Sequence, residues 1–531
     1  MTLSGASAAR AADRAQEPPE PPGPPVGAPR RRLRPVPTAV YALGVAVLTV
    51  VLRLVNVSRA GDVFVDEVIY QELGRGAARG GFPGTSEGLF FLHPPGFFYL
   101  EAGWMKLVGT HQDVLAEVHS LRVLNALLAG VTAALLVALV ARVRSRPAGL
   151  VAGLLFALDQ FCIRQNDRVL LETETMVWVL AGVLVLVPLC RADPPPRARA
   201  RVRARALLGG LLLGLAVLTK DHSALITVLP LLAALALGWG MPRRLTATAL
   251  AASVVPYGVY VALVAGFGHG AEFWDEKTHG LRRLLGIVQE TGFNAPGTPS
   301  LPGRLAAELP GYATTYLLLL LTPVALVLLL RRREPVYRLL VLFHASAILT
   351  LAYALGIGTL EEQALYLLFV PNLVALSVTV PVPRGRPALR ATVVAGLVAV
   401  LAVPATVYAR ERGTPDDGFV RLDAYLRTHV PPGSGIVTVD GARTRGVSYW
   451  TFEDTYRLGN WVSPGERAVH QARYAIVPWK VIDQGYGRST PAEVRQLTRD
   501  ARLLFAVDGH TYGTLALYEL PPPGPVPGGP R

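Results

Sequence analysis

Charged side chains are scarce in this chain of 531 residues: they make up 17% of it, against 51% apolar residues. A soluble protein of this length needs a larger charged surface, so the composition excludes a conventional soluble enzyme. Cysteine is scarcer still, with only Cys162 and Cys190, and no zinc-binding spacing exists. The net charge of +14 comes without the aromatic and basic pattern of a nucleic-acid-binding module, so we expect no nucleic-acid partner.

The apolar residues fall in eleven blocks. Blocks of about 20 apolar residues are typical of transmembrane helices. The sequence therefore predicts an α-helical polytopic membrane protein with about eleven transmembrane helices, at 38–56, 118–141, 147–163, 173–190, 206–219, 223–240, 245–266, 312–330, 336–356, 364–381 and 390–409.

Clusters of arginine fall in alternate loops between these blocks. Basic loops face the cytoplasm, so one topology accounts for all of them: a cytoplasmic N-terminus and a chain after the last span that lies outside. The clusters are at 30–34, 142–146, 191–205, 243–244, 331–338 and 384–390. We expect a multi-pass protein of the cell membrane whose first span is a signal anchor. Cys162 and Cys190 then lie near opposite faces, about 30 Å apart, and no disulfide joins them.

The segments between the spans complete the predicted organisation. Residues 1–37 are a basic, Pro-rich cytoplasmic tail, expected to be disordered. The transmembrane domain, 38–409, carries two long outer loops, 57–117 and 267–311. Within the first, 96–109 is too short to span and is predicted to be an interfacial helix. A small extracytoplasmic α/β domain is expected at 410–520, followed by a disordered tail at 521–531.

The first outer loop contains the residues that indicate chemistry. Asp66 and Glu67 stand about ten residues after the first span, and Tyr70 lies on the same helical face as Asp66. His93 follows in a His-Pro-Pro turn. Either feature alone fits an ordinary solvated loop, but together, at this separation after a first span, they favour a functional site.

This pattern resembles the GT-C membrane glycosyltransferases, in the branch that contains protein O-mannosyltransferases and aminoarabinose transferases. The resemblance covers about 38–375, with Gly96 in place of the usual leucine after the two prolines. A later Arg-Tyr-x-x-Pro element survives only in part, without its arginine; Glu362 and Gln363 stand nearby. Further matches to the family's elements are Arg164, Arg168, Glu172 and Lys220, together with Leu365, Tyr366 and Pro371.

The resemblance implies transfer of a sugar from a polyprenyl-phosphate carrier, with mannose as one candidate sugar. Nucleotide sugars stay in the cytoplasm, so an outer active site needs a lipid-borne donor. A phosphate leaving group departs when cations stabilise its charge, while the acceptor hydroxyl needs a base. We therefore assign Asp66 as the base of an inverting displacement, with Glu67 as the second catalytic carboxylate and Tyr70 and Glu172 in support. Four cations are expected to converge on the donor phosphate: His93, Arg164, Arg168 and Lys220.

The sequence leaves the acceptor open among a protein hydroxyl, a polysaccharide and a glycolipid. A divalent metal is a further possibility, held by Glu67 with residues of the long second loop, although their spacing is not diagnostic. These loop residues are His269, Asp275, Glu276 and His279.

Two other functions fit a polytopic protein. A transporter or lipid flippase would carry its ionisable groups near the bilayer midplane, often in repeated halves. Here the charges cluster at one face and no repeat is evident. A scaffold that only displays the C-terminal domain would not need acidic and basic groups from several loops.

Overall fold

The computed structural model describes residues 36–111, 113–190, 196–288, 300–380, 387–441, 445–485, 487 and 489–522. The predicted tails lie almost wholly outside these ranges, as does the arginine cluster at 30–34, so their disorder stays a prediction.

Helices dominate the described residues before 289. Their bounds are α1 (Thr38–Leu54), α2 (Val65–Ala78), α3 (Gly96–Val108), α4 (Val114–Val143), α5 (Arg146–Leu158), α6 (Gln160–Asp167), α7 (Leu171–Leu186), α8 (Arg199–Thr219), α9 (Ala224–Leu237), α10 (Arg243–Gly266) and α11 (Gly270–Leu284). Short 3-10 turns follow α7, precede α8 and precede α9, at Val187–Cys190, Pro196–Ala198 and Asp221–Ser223. Strands β1 (Gly84–Thr85) and β2 (Gly88–Leu89) form an antiparallel hairpin.

The described residues after 299 contain further helices and then a sheet. The helices are α12 (Leu301–Leu320), α13 (Thr322–Leu330), α14 (Pro335–Gly356), α15 (Glu362–Thr379), α16 (Pro387–Gly413), α17 (Gly418–His429), α18 (Val447–Phe452), α19 (Pro464–His470), α20 (Trp479–Asp483) and α21 (Pro491–Thr498). The strands are β3 (Gly435–Thr438), β4 (Arg457–Gly459), β5 (Ala472–Pro478), β6 (Arg502–Gly509) and β7 (Gly513–Glu519).

Each of the eleven predicted blocks falls on helical residues, although 147–163 extends over both α5 and α6 and 312–330 over both α12 and α13. This confirms a helical membrane protein. Within the described residues, seven helical segments are long and apolar enough to cross a bilayer by themselves. They are α4, Leu171–Cys190, α8, α10, Leu301–Leu330, α14 and α15. The pair α5 and α6, bent by 63°, would make an eighth, whereas α1 and the segment Asp221–Leu237 are shorter apolar helices. The count of eleven spans stays a prediction.

The bend between α5 and α6 is stabilised by buried polar groups. Asp159 caps α6 by accepting a hydrogen bond from the backbone N–H of Cys162. The break frees the carbonyl oxygens of Phe156 and Ala157, and the buried guanidinium of Arg53 donates to both, at 3.4 and 3.2 Å. Unpaired backbone groups are costly in a membrane, so Arg53 makes the bend possible. The bend in turn sets the position of the end of α6, which is Asp167, immediately before Arg168.

Glycines bring α8 against its neighbours. A Cβ at Gly210 would lie 2.1 Å from the carbonyl oxygen of Ala249, and one at Gly214 would lie 2.5 Å from that of Ser253. Small residues allow this close approach of helix backbones in a membrane. The packing of α8 on α10 places the end of α8, and hence Lys220, beside the first outer loop.

The C-terminal region is a small α/β structure, as predicted. Its five strands lie in the order β4-β3-β5-β7-β6; β3 pairs parallel with β4 and β5, and β7 pairs antiparallel with β5 and β6. Helix α21 begins in a capping box, in which the Thr490 hydroxyl accepts from Glu493 N–H. Strand β4 has only three residues, and β6 is half exposed without a clean alternation, so neither has a clear signal in the sequence.

This region contacts the first outer loop directly. The Tyr512 hydroxyl donates to the Val63 carbonyl at 2.5 Å, and the Asp62 carboxylate accepts from Phe419 N–H. Apolar residues of α2, α3, α17 and β7 share one buried cluster. The start of α2, where Asp66 lies, is therefore in contact with both the helical part of the fold and the C-terminal sheet. The predicted domain boundaries stay predictions.

Candidate active site

The carboxylate of Glu67, in the first turn of α2, accepts hydrogen bonds at both of its oxygens. Its carboxylate accepts two hydrogen bonds from Arg122, both 2.8 Å, one from Val169 N–H at 3.0 Å and one from Phe64 N–H at 2.9 Å. The side chains of Glu67 and Arg122 are almost wholly inaccessible to solvent. Burial alone would raise the pKa of Glu67, but the Arg122 guanidinium lowers it below its usual value. Glu67 is thus a permanently ionised anchor with no oxygen available to a substrate or a metal.

Asp66, the adjacent residue, lies in a different environment. Burial, followed by the negative charges of Glu361 and Glu172, raises the pKa of the Asp66 carboxyl to about 7. Its one hydrogen bond from a side chain is weak, from Gln363 Nε2 at 3.4 Å. A carboxylate with a pKa near neutrality and weak pairing has the properties of a general base.

Three ion pairs form a set that we call the Asp66 cluster: the charges of two of them act on Asp66, and those of the third act on His93. Lys220 forms a close, buried ion pair with Glu172 across the ends of α8 and α7. Lys277 on α11 pairs with Asp221 at 2.7 Å, and Arg283 further along α11 pairs with Glu361 at 3.1 Å. Helices α7, α8, α11 and α15 therefore each bring a charged residue to the start of α2.

His93 lies beside this cluster. Its ring packs against Tyr70 and Phe90, with ring centroids 6.2 and 5.9 Å apart, and its buried Nδ1 has no hydrogen-bond partner in the described residues. Burial and then the positive charge of Lys220 lower the pKa of His93, so it is neutral. A Cβ at Gly96 would lie 2.8 Å from the Leu218 carbonyl oxygen, which explains why glycine replaces the expected leucine.

Arg164 and Arg168 lie in a neighbouring group, which we call the Arg164 cluster. Arg164 contacts Glu308 at 3.5 Å and Glu362 at 3.6 Å, and donates to the Tyr312 hydroxyl at 2.8 Å. The guanidinium of Arg168 stacks over the Phe64 ring at 4.7 Å. Of the four cations predicted to converge on one phosphate, Lys220 acts on Asp66 and on His93, while Arg164 and Arg168 are engaged in the Arg164 cluster. Their convergence stays a prediction. Glu361 and Glu362, consecutive at the start of α15, connect the two clusters.

Solved structures with the same architecture are membrane glycosyltransferases. ArnT from Cupriavidus metallidurans, bound to undecaprenyl phosphate, superposes with a TM-score of 0.58 at 13% identity, over 93% of this chain and 99% of that one. The oligosaccharyltransferase AglB from Archaeoglobus fulgidus, in complex with an inhibitory peptide and a dolichol-phosphate, gives 0.56 at 12% identity, over 90% of this chain and 74% of that one. The chain has the GT-C fold.

The sequence itself carries a family match within this fold. Residues 99–262 match the family described as dolichyl-phosphate-mannose-protein mannosyltransferase. Among curated proteins, none matches the sequence. The matched segment includes Arg164, Arg168, Glu172 and Lys220 but begins after Asp66. The predicted resemblance to GT-C glycosyltransferases is therefore confirmed, while the roles of single residues remain proposals.

The metal site suggested by the sequence is not assembled in this GT-C fold. Within the described ranges, no three His, Cys, Asp or Glu side chains gather closely enough to hold a metal ion. His269 contacts Glu272 at 3.1 Å, and Glu276 accepts from Phe91 N–H at 2.7 Å. Glu67 cannot join them, because Arg122 and two backbone amides occupy its oxygens.

Sequence reasoning missed three residues of the candidate site: Arg122, Arg283 and Glu361. It noted Gln363 only as a neighbour of the incomplete Arg-Tyr-x-x-Pro element. A signal existed for Arg122, because an arginine inside an apolar block needs a buried partner. Glu361 and Gln363 were visible only as a polar turn between two spans. The sequence contains no signal for Arg283, because nothing in the second outer loop indicates that one of its basic residues contacts the site formed by the first outer loop.

Proposed function

We propose that this protein is a membrane glycosyltransferase. It transfers a sugar from a polyprenyl-phosphate carrier to an extracytoplasmic acceptor hydroxyl by a single inverting displacement. The observation that carries the proposal is Asp66: a weakly paired carboxylate with a pKa raised to about 7, beside Lys220, in a GT-C fold. A transporter would not need such a base at one face of the membrane, so the alternative is not favoured.

The displacement assigns a task to each residue of the Asp66 cluster. Asp66 removes the proton of the acceptor hydroxyl while its oxygen forms a bond to the anomeric carbon. The bond from that carbon to the phosphate oxygen breaks, and the electron pair leaves with the phosphate. Lys220 stabilises the departing charge, and neutral His93 donates a hydrogen bond to it. Glu172 and Tyr70 support them, Glu172 by holding Lys220 and Tyr70 by packing against His93.

Glu67 takes a positioning role in this proposal rather than a catalytic one. Its bonds to Arg122, Val169 and Phe64 fix the first turn of α2, and Arg122 also binds the carbonyls of Val57 and Gly61. The direction of the Asp66 side chain depends on that turn. Preorganisation of this kind decides how well a base reaches its proton.

The related structures support the choice of donor. ArnT was solved with undecaprenyl phosphate and AglB with a dolichol-phosphate, and the matched family is described by a dolichyl-phosphate-mannose donor. Mannose is therefore the first sugar to test. AglB was also solved with zinc and sulfate, at a TM-score of 0.55 and 12% identity over 90% of this chain and 73% of that one. In this chain Asp66 is the carboxylate of its pair that a divalent metal would reach.

The arginine alternation supports an orientation for the site. The segments between spans that lack arginine clusters are expected to face outside. They contain Asp66, Lys220, Arg168 and Glu361. We place these residues and the C-terminal α/β region outside the cell membrane, with the N-terminus in the cytoplasm.

A direct assay tests the function. Purified protein in nanodiscs is given polyprenyl-phosphate mannose with a radiolabelled sugar, together with an envelope extract as acceptor, with and without EDTA. We expect label to move from the lipid to the extract, and to stay on the lipid with Asp66→Asn. Movement of the lipid between leaflets of proteoliposomes without any transfer would refute the proposal and favour a flippase.

A further inference from the structure

Two cations at the Arg164 cluster have no carboxylate within ion-pair distance in the described residues. Arg168 is more than nine-tenths buried, yet in the described residues its guanidinium has no hydrogen bond or ion pair and only lies over Phe64. Lys480, on α20, donates to the His510 carbonyl at 2.7 Å and has no carboxylate within ion-pair distance in the described part of the chain. Buried charges are ordinarily paired, and Arg168, the more buried of the two, is available to bind an anion, whereas Lys480 is only partly buried.

The two cations belong to different parts of the fold, and a chain of contacts through Tyr512, Val63 and Phe64 connects them. Arg168 follows α6, whereas Lys480 and His510 belong to the C-terminal region. His510 Nε2 lies 3.9 Å from Glu308, the same carboxylate that contacts Arg164. Burial lowers the pKa of Lys480; the Glu308 and Asp416 carboxylates oppose this shift, and the positive charges of Arg164 and Arg168 add to it.

The acidic groups at this junction are already engaged. Glu308 and Glu362 both contact Arg164. Asp416 accepts from the backbone N–H and the hydroxyl of Thr511. Neither Arg168 nor Lys480 has a carboxylate within ion-pair distance in the described residues, although Glu308 and Asp416 act on Lys480 from further away. The Arg164 Nε is also buried without a partner in the described residues.

The surrounding contacts fix the segments that carry the two cations. Phe64, beneath Arg168, is the N-cap of α2, two residues before Asp66. The turn that carries His510 is tied to the same segment by the bond from Tyr512 to Val63. A ligand bound by Arg168 and Lys480 would thus lie against the backbone that positions the base.

We propose that Arg168 and Lys480, with Arg164 and His510 beside them, form an anion-binding subsite for a phosphate or carboxylate group of the acceptor. The inference rests on the proposed function, which it extends by naming the acceptor as acidic. The donor phosphate is neutralised in the Asp66 cluster, and the acceptor anion binds across the junction of the two parts of the fold. The consecutive residues Glu361 and Glu362 lie between the two subsites, one paired with Arg283 and the other with Arg164.

Inorganic phosphate is the probe for this subsite. Its binding to the full chain in phosphatidylcholine nanodiscs is measured by calorimetry at constant ionic strength. Arg168→Gln and Lys480→Gln should each weaken phosphate binding roughly tenfold to a hundredfold, the effect of one charge-assisted hydrogen bond. Lys106→Gln, which removes an exposed cation from the end of α3, is the matched control and should bind as the wild type does. Equal binding by all four proteins, or equal weakening in the control, overturns the proposal.

Measuring donor binding by the same variants distinguishes a failure of this proposal from a failure of the proposed transferase function. Both variants should bind polyprenyl-phosphate mannose like the wild type, which also shows that they are folded, and should raise the KM for the acceptor extract only. Loss of donor binding in Arg168→Gln would assign the subsite to the donor phosphate and overturn the acceptor role, with the transferase function intact. If phosphatidylglycerol in the nanodiscs abolishes phosphate binding by the wild type, a lipid headgroup is the ligand and the proposal is also wrong.

Discussion

Asp66 and Glu67 are adjacent carboxylates, and replacing each by its amide should impair the protein differently: the first should lower the transfer rate and the second the stability. Asp66→Asn keeps the size of the side chain and loses only a weak hydrogen bond from Gln363, so the protein should fold normally. It removes the base, and loss of a general base lowers the rate by about 10²–10⁴-fold. Because the donor contacts lie on other elements, donor binding should persist.

Glu67→Gln should instead damage the structure. An amide has one acceptor oxygen, so it cannot satisfy the four hydrogen bonds that Glu67 accepts, and it leaves the buried Arg122 guanidinium without a counter-charge. Breaking a buried ion pair on one side costs about 3–5 kcal/mol. The expected result is a lower thermal unfolding temperature, together with an activity loss that follows the loss of folded protein.

The pH dependence of the transfer rate is a second, independent test of the role of Asp66. Its active form is the carboxylate and its pKa is raised to about 7, so the rate should rise with pH through 7. Between pH 6 and pH 8 the increase should be about tenfold, followed by a plateau. In Asp66→Asn the residual rate should lose this dependence.

The assays are transfer of radiolabel from polyprenyl-phosphate mannose and thermal unfolding in the same nanodiscs. The reasoning is refuted if Asp66→Asn transfers at nearly the wild-type rate. If Glu67→Gln is fully stable and inactive while Asp66→Asn is active, the roles of the two carboxylates are exchanged.

Three further predictions concern the donor, the orientation and the helix packing. Lys220→Gln should weaken donor binding by about tenfold to a hundredfold, measured by equilibrium binding of labelled lipid. Glu172→Gln breaks the same ion pair but keeps the cation, so equal loss in both variants would contradict the donor role. Val469→Cys, at a position 74% exposed in the C-terminal region, should react with an impermeant thiol reagent in intact cells; labelling only after lysis would invert the topology. Gly210→Leu should lower the unfolding temperature and the yield of membrane-inserted protein, because its Cβ would collide with the Ala249 carbonyl, and an unchanged yield and temperature would show that α8 and α10 can separate.

The amino-acid sequence by itself determined the helical blocks, their approximate bounds and the elements of the GT-C resemblance. Apolar blocks suffice for this because each transmembrane helix satisfies its own backbone hydrogen bonds, so its position depends on local composition alone. The His-Pro-Pro turn and the pair at Asp66 and Glu67 were visible for a similar reason: they are contiguous in the chain.

Only the tertiary structure decided which charges meet. Glu67 and Asp66 are one residue apart, yet Arg122, Val169 and Phe64 bind the first and leave the second, and no local pattern distinguishes them. Arg168 and Lys480 are more than 300 positions apart and approach one another because Tyr512 and Phe419 fasten the C-terminal region to the first outer loop. The pairing of charges depends on distance and burial in three dimensions, and neither quantity is encoded in the spacing of residues along the chain.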